Sequence, residues 1–194
     1  MTSDLLAALA GAALVLFVPG PTNTLLATAG AAAHGRPPLR LAVAELAGYL
    51  VSTNLLWLLG GRLIERLPWA APVLHLGLAV YLVSLGCCLW RAEEAAATAA
   101  AVSPRRIFVT TLINPKAAIF ALVLMPTAGI GAWAAWTLGF SVVVLAAGAT
   151  WLVLGHRIRR HGGNRAAALV PRIASIALFG FAAVLAQRTI VALT

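Results

Sequence analysis

Two short segments of this chain set proline and polar side chains into otherwise apolar sequence. One reads Phe17-Val18-Pro19-Gly20-Pro21-Thr22-Asn23 and the other Leu112-Ile113-Asn114-Pro115-Lys116. Proline removes a backbone donor and clashes with the preceding turn, so a helix carrying it must kink or unwind. The carbonyls freed in this way need partners, and in lipid such backbone survives only against protein or a wet cavity. Pro21 and Pro115 stand about half the chain apart. Matching interrupted segments in two halves point to a transport site at the membrane midplane; two ordinary kinked helices are the plainer reading. Helix N-termini at the breaks carry partial positive charge and free N–H groups, which suit a ligand carboxylate. Asn23 and Asn114 flank the breaks, where asparagine either bonds freed backbone or offers its amide to a polar ligand.

Ionisable side chains inside a membrane are rare, costing about 2.5–3.5 kcal/mol each on insertion scales. Two remain once the loops are set aside, Glu45 and Lys116. Glu45 lies five positions past Arg40, roughly 7–8 Å along a helix, so it either snorkels to the interface or acts in proton coupling. Glu45, Tyr49 and Ser52 follow i, i+4, i+7 spacing and share one helix face. Gly48 on that face allows close approach, while Asn54 points roughly opposite Glu45. Such a stripe lines a cavity or makes interhelical hydrogen bonds. Lys116 follows Pro115, a residue suited to the first helical turn, so its charge sits at the unfavourable end of a helix dipole. A substrate carboxylate, a partner such as Glu45, or escape of its long stem to headgroups would each offset that.

The elements around these residues are set by composition. The chain of 194 residues is 62% hydrophobic and 10% charged, against roughly 25% charged for soluble domains. Helical spans need about 20 apolar residues, and six stretches qualify, near 5–33, 39–60, 70–90, 107–125, 131–155 and 168–192. The first is too long and too polar in its middle for a cleaved signal peptide, and Asp4 is the one charge before it. Connections are short, so residues 1–194 form one transmembrane domain. An Ala-rich linker, 93–104, joins halves of about 1–92 and 105–194. Three spans per half force the second half into the membrane inverted relative to the first. The expectation is an all-α membrane protein of six transmembrane helices, two inverted three-helix repeats, with helices 1 and 4 broken at proline.

The net charge of +9 would suggest nucleic acid in a soluble protein; here its placement is a topology signal and a contact for anionic lipid. Ten arginines fall in the connections after spans one, three and five, and three on the other side, with Lys116 in the membrane. The positive-inside rule places both termini outside the cytoplasm. Cys87 and Cys88 are adjacent, a poor geometry for a disulfide or metal site, and read as small packing residues. None of the four histidines, His34, His75, His156 and His161, pairs with a second ligand at helical spacing; each reads as headgroup-facing. No metal or cofactor is expected. Neither HExxH, Gly-x-Ser-x-Gly nor facing acids occur, which argues against an enzyme.

These residues resemble the LysE/RhtB family of amino-acid exporters. Pro19-Gly20-Pro21 and the following His34-Gly35-Arg36 are similar to its amino-terminal signature. Tyr81-Leu82-Val83-Ser84-Leu85-Gly86 with Trp90-Arg91 resembles the end of its third span. Leu112-Ile113-Asn114-Pro115-Lys116-Ala117 resembles its second-half signature, and Trp151 with the basic cluster after it also fits. The chain departs from the pattern at Tyr49 and Ser52, where many members carry an acid or histidine, and at Gly148, where an acid is common; Glu45 is an additional acid. The resemblance implies a multi-pass protein of the bacterial inner membrane. It implies efflux of amino acids or similar small zwitterionic metabolites, driven by an ion gradient.

The reading is a secondary exporter coupled to the proton gradient, with Pro19, Gly20, Pro21, Asn23, Tyr49, Ser52, Asn114, Pro115 and Lys116 as substrate-binding candidates and Glu45 as the proton-coupling candidate. Its partners are the small-molecule substrate and membrane lipid, with no nucleic acid and a homodimer as a candidate assembly. The alternative is a non-transporting scaffold or subunit of a larger membrane complex. The arginine distribution generates a direct test: cysteines introduced into the 157–165 segment should react with membrane-impermeant reagents from the cytoplasmic side alone. Labelling from outside would invert the topology.

Overall fold

A computed structural model describes residues 2–33, 35–66, 70–91, 102–114, 116–125 and 129–193. Pro115, His34 and most of the Ala-rich linker lie outside the described residues. All of the regular structure among these residues is helical. α1 (Thr2–Phe17) and α2 (Pro21–Ala32) are separated by the Val18-Pro19-Gly20 break and bent by 60°. Pro21 opens α2, where its missing N–H costs nothing. α3 (Arg40–Arg66) and α4 (Ala70–Trp90) follow. α5 (Pro104–Leu112) starts at Ser103, whose hydroxyl accepts from the Arg106 N–H at 3.3 Å, an N-cap bond. After the second break come the single turn α6 (Lys116–Ile119), a π-helical turn Phe120–Leu124, and α7 (Ile130–Leu193).

α7 differs from the loop expected between the fifth and sixth apolar stretches. Helix continues through the Arg- and His-rich segment and breaks at Gly163, whose φ of 66° and ψ of −164° are reserved in practice for glycine. Arginine and alanine are good helix formers, so polarity here marks emergence from an apolar layer rather than the end of a helix. Among the described residues, Arg40–Leu58 and Ile130–Gly163 are each long and apolar enough to cross a membrane. The bent α1–α2 pair makes a third candidate, and Ala79–Trp90 and Leu169–Ala183 are shorter apolar helices.

Two apolar clusters organise the interior. The first joins Leu25 and Leu26 of α2, Leu41 of α3, Leu82 and Leu89 of α4, Ile107 of α5, and Leu152 and Leu178 of α7. The second joins Leu16 of α1, Tyr49 of α3, Ala117 of α6, Phe120 of the π turn, and Trp136, Phe140 and Val144 of α7. Four lengths of chain pass between them. The first broken helix and α7 run from the second cluster to the first; α3 and the second broken helix run the other way. Arg40, Arg91, Arg105, Arg106 and Arg157 all stand within a few residues of first-cluster members.

α2 and α7 cross with their backbones in contact. A Cβ on Gly30 would strike the Leu152 carbonyl, and one on Gly155 would strike the Ala27 carbonyl. Arg159 adds two bonds across the same crossing, from its guanidinium to the carbonyls of Ala31 (3.4 Å) and Ala32 (3.0 Å). These satisfy the C-terminus of α2 with a cation, which its dipole favours. Gly30→Ala should therefore lower stability by about 1–3 kcal/mol or more, since backbone cannot yield as a side chain does. Gly180→Ala, which meets nothing within 4 Å, should leave it unchanged or slightly raised. Thermal unfolding of the two purified variants in detergent checks the contrast.

Candidate functional site

Each of the four crossing segments carries its special residues where it leaves one cluster for the other. On the first broken helix these are Gly20, Thr22 and Asn23, between Leu16 and Leu25. On the second they are Asn114 and Lys116, between Ile113 and Ala117. On α3 it is Glu45, between Ala44 and Leu46, and on α7 Gly148, between Ala147 and Trp151. A polar seam thus divides two apolar bodies.

The seam first solves the problem that the breaks create. Asn23 Nδ2 donates to the carbonyls of Leu16 (2.6 Å) and Val18 (2.9 Å), using both its protons on groups freed by the break. Asn114 Oδ1 accepts from the Lys116 backbone N–H at 3.0 Å, the bond an N-cap asparagine makes. Both asparagines are buried and both serve backbone.

The seam also joins the two breaks. Lys116 Nζ reaches back to the Val18 carbonyl at 2.6 Å. Its stem lies across Gly20, where a Cβ would stand 3.0 Å from both Lys116 Cε and Nζ. Asn114 Nδ2 donates to Thr22 Oγ1 at 3.2 Å, and the hydroxyls of Thr22 and Thr111 are also 3.2 Å apart. Asn114 Nδ2 and the Tyr49 hydroxyl lie at 3.5 Å, the outer limit of a hydrogen bond. Tyr49 stands edge-on to Phe120 and Phe140, with ring centroids 5.3 and 6.0 Å away, and Trp136 stacks on Phe140 at 4.5 Å. Gly48, one residue earlier, brings α3 against Thr111 and the Phe108 carbonyl.

Glu45 is fully buried, and neither carboxyl oxygen has a hydrogen-bond partner. It faces Gly148 of α7. Its position on α3 does not lead it out to the headgroups, so the snorkelling alternative does not describe it. The ammonium of Lys116 is bonded to Val18 rather than to this carboxyl.

Of the residues singled out from sequence, Gly20, Asn23, Tyr49, Asn114 and Lys116 come together around the meeting breaks. Pro21 is buried at the start of α2, and Pro19 stands exposed within the break. Ser52 is buried but turns its hydroxyl to the Tyr49 carbonyl on its own helix, at 3.3 Å. Asn54, on the other side of α3, accepts from Trp133 Nε1 at 2.8 Å. Thr22 and Thr111 were missed; a threonine beside each break, within one turn of an asparagine, is the signal that would have raised them. His156, expected to face the headgroups, is half-buried beside Gly30, with Nδ1 enclosed and unpartnered. No group of three or more metal-ligating side chains occurs among the described residues.

Broken apolar helices meeting at a polar seam are an arrangement that membrane transporters use. Residues 13–189 match the family described as LysE type translocator, and the chain belongs to that family. It is a multi-pass membrane protein that exports a small molecule, not an enzyme. No curated protein and no solved structure matches it.

The two protons of Asn23 Nδ2 supply the local test. Asn23→Ala strands the Leu16 carbonyl and should lower stability by about 1–3 kcal/mol. Asn23→Asp, close in shape but without donors when ionised, should not rescue it. Thermal unfolding of both variants reads the outcome.

Proposed function

We propose that this protein exports an amino acid or a similarly small zwitterion across the cytoplasmic membrane, driven by the proton gradient. The observation that carries the reading is the Lys116 ammonium crossing from the second break to the Val18 carbonyl of the first. A cation held at the junction of two broken helices, beside the buried N-terminus of α2, is suited to a carboxylate. Tyr49, Asn114 and Thr22 line the same junction with groups that can turn to a polar ligand. Glu45 is the proton carrier in this scheme. An unpaired carboxylate in apolar surroundings is expensive, so a group placed there has reason to take up and release a proton.

The architecture behind the proposal is one domain of six spans in two inverted triplets. The opposite sense in which the two broken helices traverse the seam supports this, as does the opposite sense of α3 and α7. The arginines near first-cluster members support a cytoplasmic face at that end and termini outside. A homodimer is part of the proposal and rests on no contact within the chain.

Cells loaded with the twenty protein amino acids as a mixture provide the experiment. Expression should reduce retention of one or a few of them when a proton gradient is imposed. Lys116→Met should weaken export of those solutes while thermal stability holds, and Glu45→Gln should uncouple export from the gradient. Unchanged retention of every amino acid would remove the substrate class. Unchanged gradient-driven efflux in Glu45→Gln would remove its coupling role.

A further inference from the structure

Glu45 occupies its place because Gly148 leaves that place empty. A Cβ built on Gly148 would run into Glu45 Oε2 and would stand 3.1 Å from Ala42 Cβ. The carboxyl is fully buried there without a hydrogen-bond partner. The backbone of α7 at residue 148 therefore points its missing side chain at the position the carboxyl holds. An aspartate sets its carboxyl carbon one bond beyond Cβ, in a direction chosen by its χ1 rotamer.

We infer that the seam requires a carboxyl at this position between α3 and α7, and that residue 148 can deliver it as residue 45 does. Gly148 is on this account a positioning residue: it keeps the space that a carboxyl from the opposite helix fills. The inference rests on the proton-coupled reading of Glu45.

The charged and titratable surroundings are sparse. Tyr49 follows one turn on along α3, and Lys116 of α6 lies within electrostatic reach. α7 carries no titratable side chain from Ile130 to Gly155, and α2 carries none. α5 has Arg105 and Arg106 in its first turn and none beyond. A carboxyl moved from residue 45 to residue 148 would thus meet the same neighbours.

The test uses the full-length protein in proteoliposomes and the transferable label dicyclohexylcarbodiimide. This apolar reagent adds across the O–H of a protonated buried carboxyl and rearranges to a stable N-acylurea, with no leaving group. Wild type should be labelled at Glu45, and Glu45→Ala should lose both the label and proton-driven efflux of the amino-acid mixture. Combining Glu45→Ala with Gly148→Asp should restore both, with the label now on residue 148 and the wild-type pH profile of efflux. A double variant of wild-type thermal stability, labelled at residue 148 yet without recovered efflux, would overturn the inference. Should the double variant not fold, Gly148→Ala decides: it should displace the carboxyl and alter the pH profile of efflux, and adding Ala42→Gly should not repair it. Repair by Ala42→Gly would assign Gly148 to helix packing and overturn the inference. Failure of the underlying reading shows separately, as undiminished proton-driven efflux in Glu45→Gln.

Discussion

Backbone polar groups released at a helix break must find partners without water, and this requirement shapes the centre of the molecule. In lipid an unpaired carbonyl costs several kcal/mol. The chain meets the need with asparagine placed next to proline. Asn23 gathers the carbonyls of Leu16 and Val18, and Asn114 holds the amide that opens α6. Each solution makes its break a fixed geometry rather than a loose joint. Fixed breaks can then be set against each other, and Lys116 and the Thr22–Asn114–Thr111 bonds do so across the two halves of the chain.

The seam that results is confined by what lies on either side. The polar groups lie between two apolar clusters along the helices. The α2–α7 crossing, glycine against backbone on both helices and reinforced by Arg159, ties the first cluster together. The aromatic cluster of Tyr49, Phe120, Phe140 and Trp136 fills the second. Close packing transmits displacement instead of absorbing it. A ligand entering between the breaks would therefore act on both bodies at once, the coupling that an alternating-access carrier needs.

The breaks, the burden on the two asparagines and the close approach at Gly48 were legible because each follows from a local rule: proline's missing donor, the asparagine amide, and the absent Cβ. Family membership was legible for the same reason, since Pro19-Gly20-Pro21 and Asn114-Pro115-Lys116 are short contiguous motifs. What one segment presents to another was not legible. Lys116 had three candidate destinations in sequence, and the one found, a carbonyl in the opposite half, was not among them. Glycine at 148 read as a missing acid, whereas in space it is the room that an acid on another helix occupies. The helix through 157–162 was hidden by its charge, because hydropathy reports the membrane boundary and not the helix end.

Val18 is the point where these threads meet. Its carbonyl accepts from two donors, Asn23 Nδ2 at 2.9 Å and Lys116 Nζ at 2.6 Å. A carbonyl oxygen has two lone pairs, so both bonds are accommodated. If Lys116 turns away, Val18 keeps Asn23 and no backbone group is orphaned. The loss is then that of one hydrogen bond with a charged donor, about 1.5–3 kcal/mol. A carboxylate offered to the ammonium puts in its place a bond charged at both ends, which returns at least as much. Had Lys116 been the sole partner of that carbonyl, its departure would have left an unsatisfied acceptor, and the exchange would have carried that cost as well. The redundancy at Val18 therefore leaves the lysine free to change partners while the break it bridges stays intact.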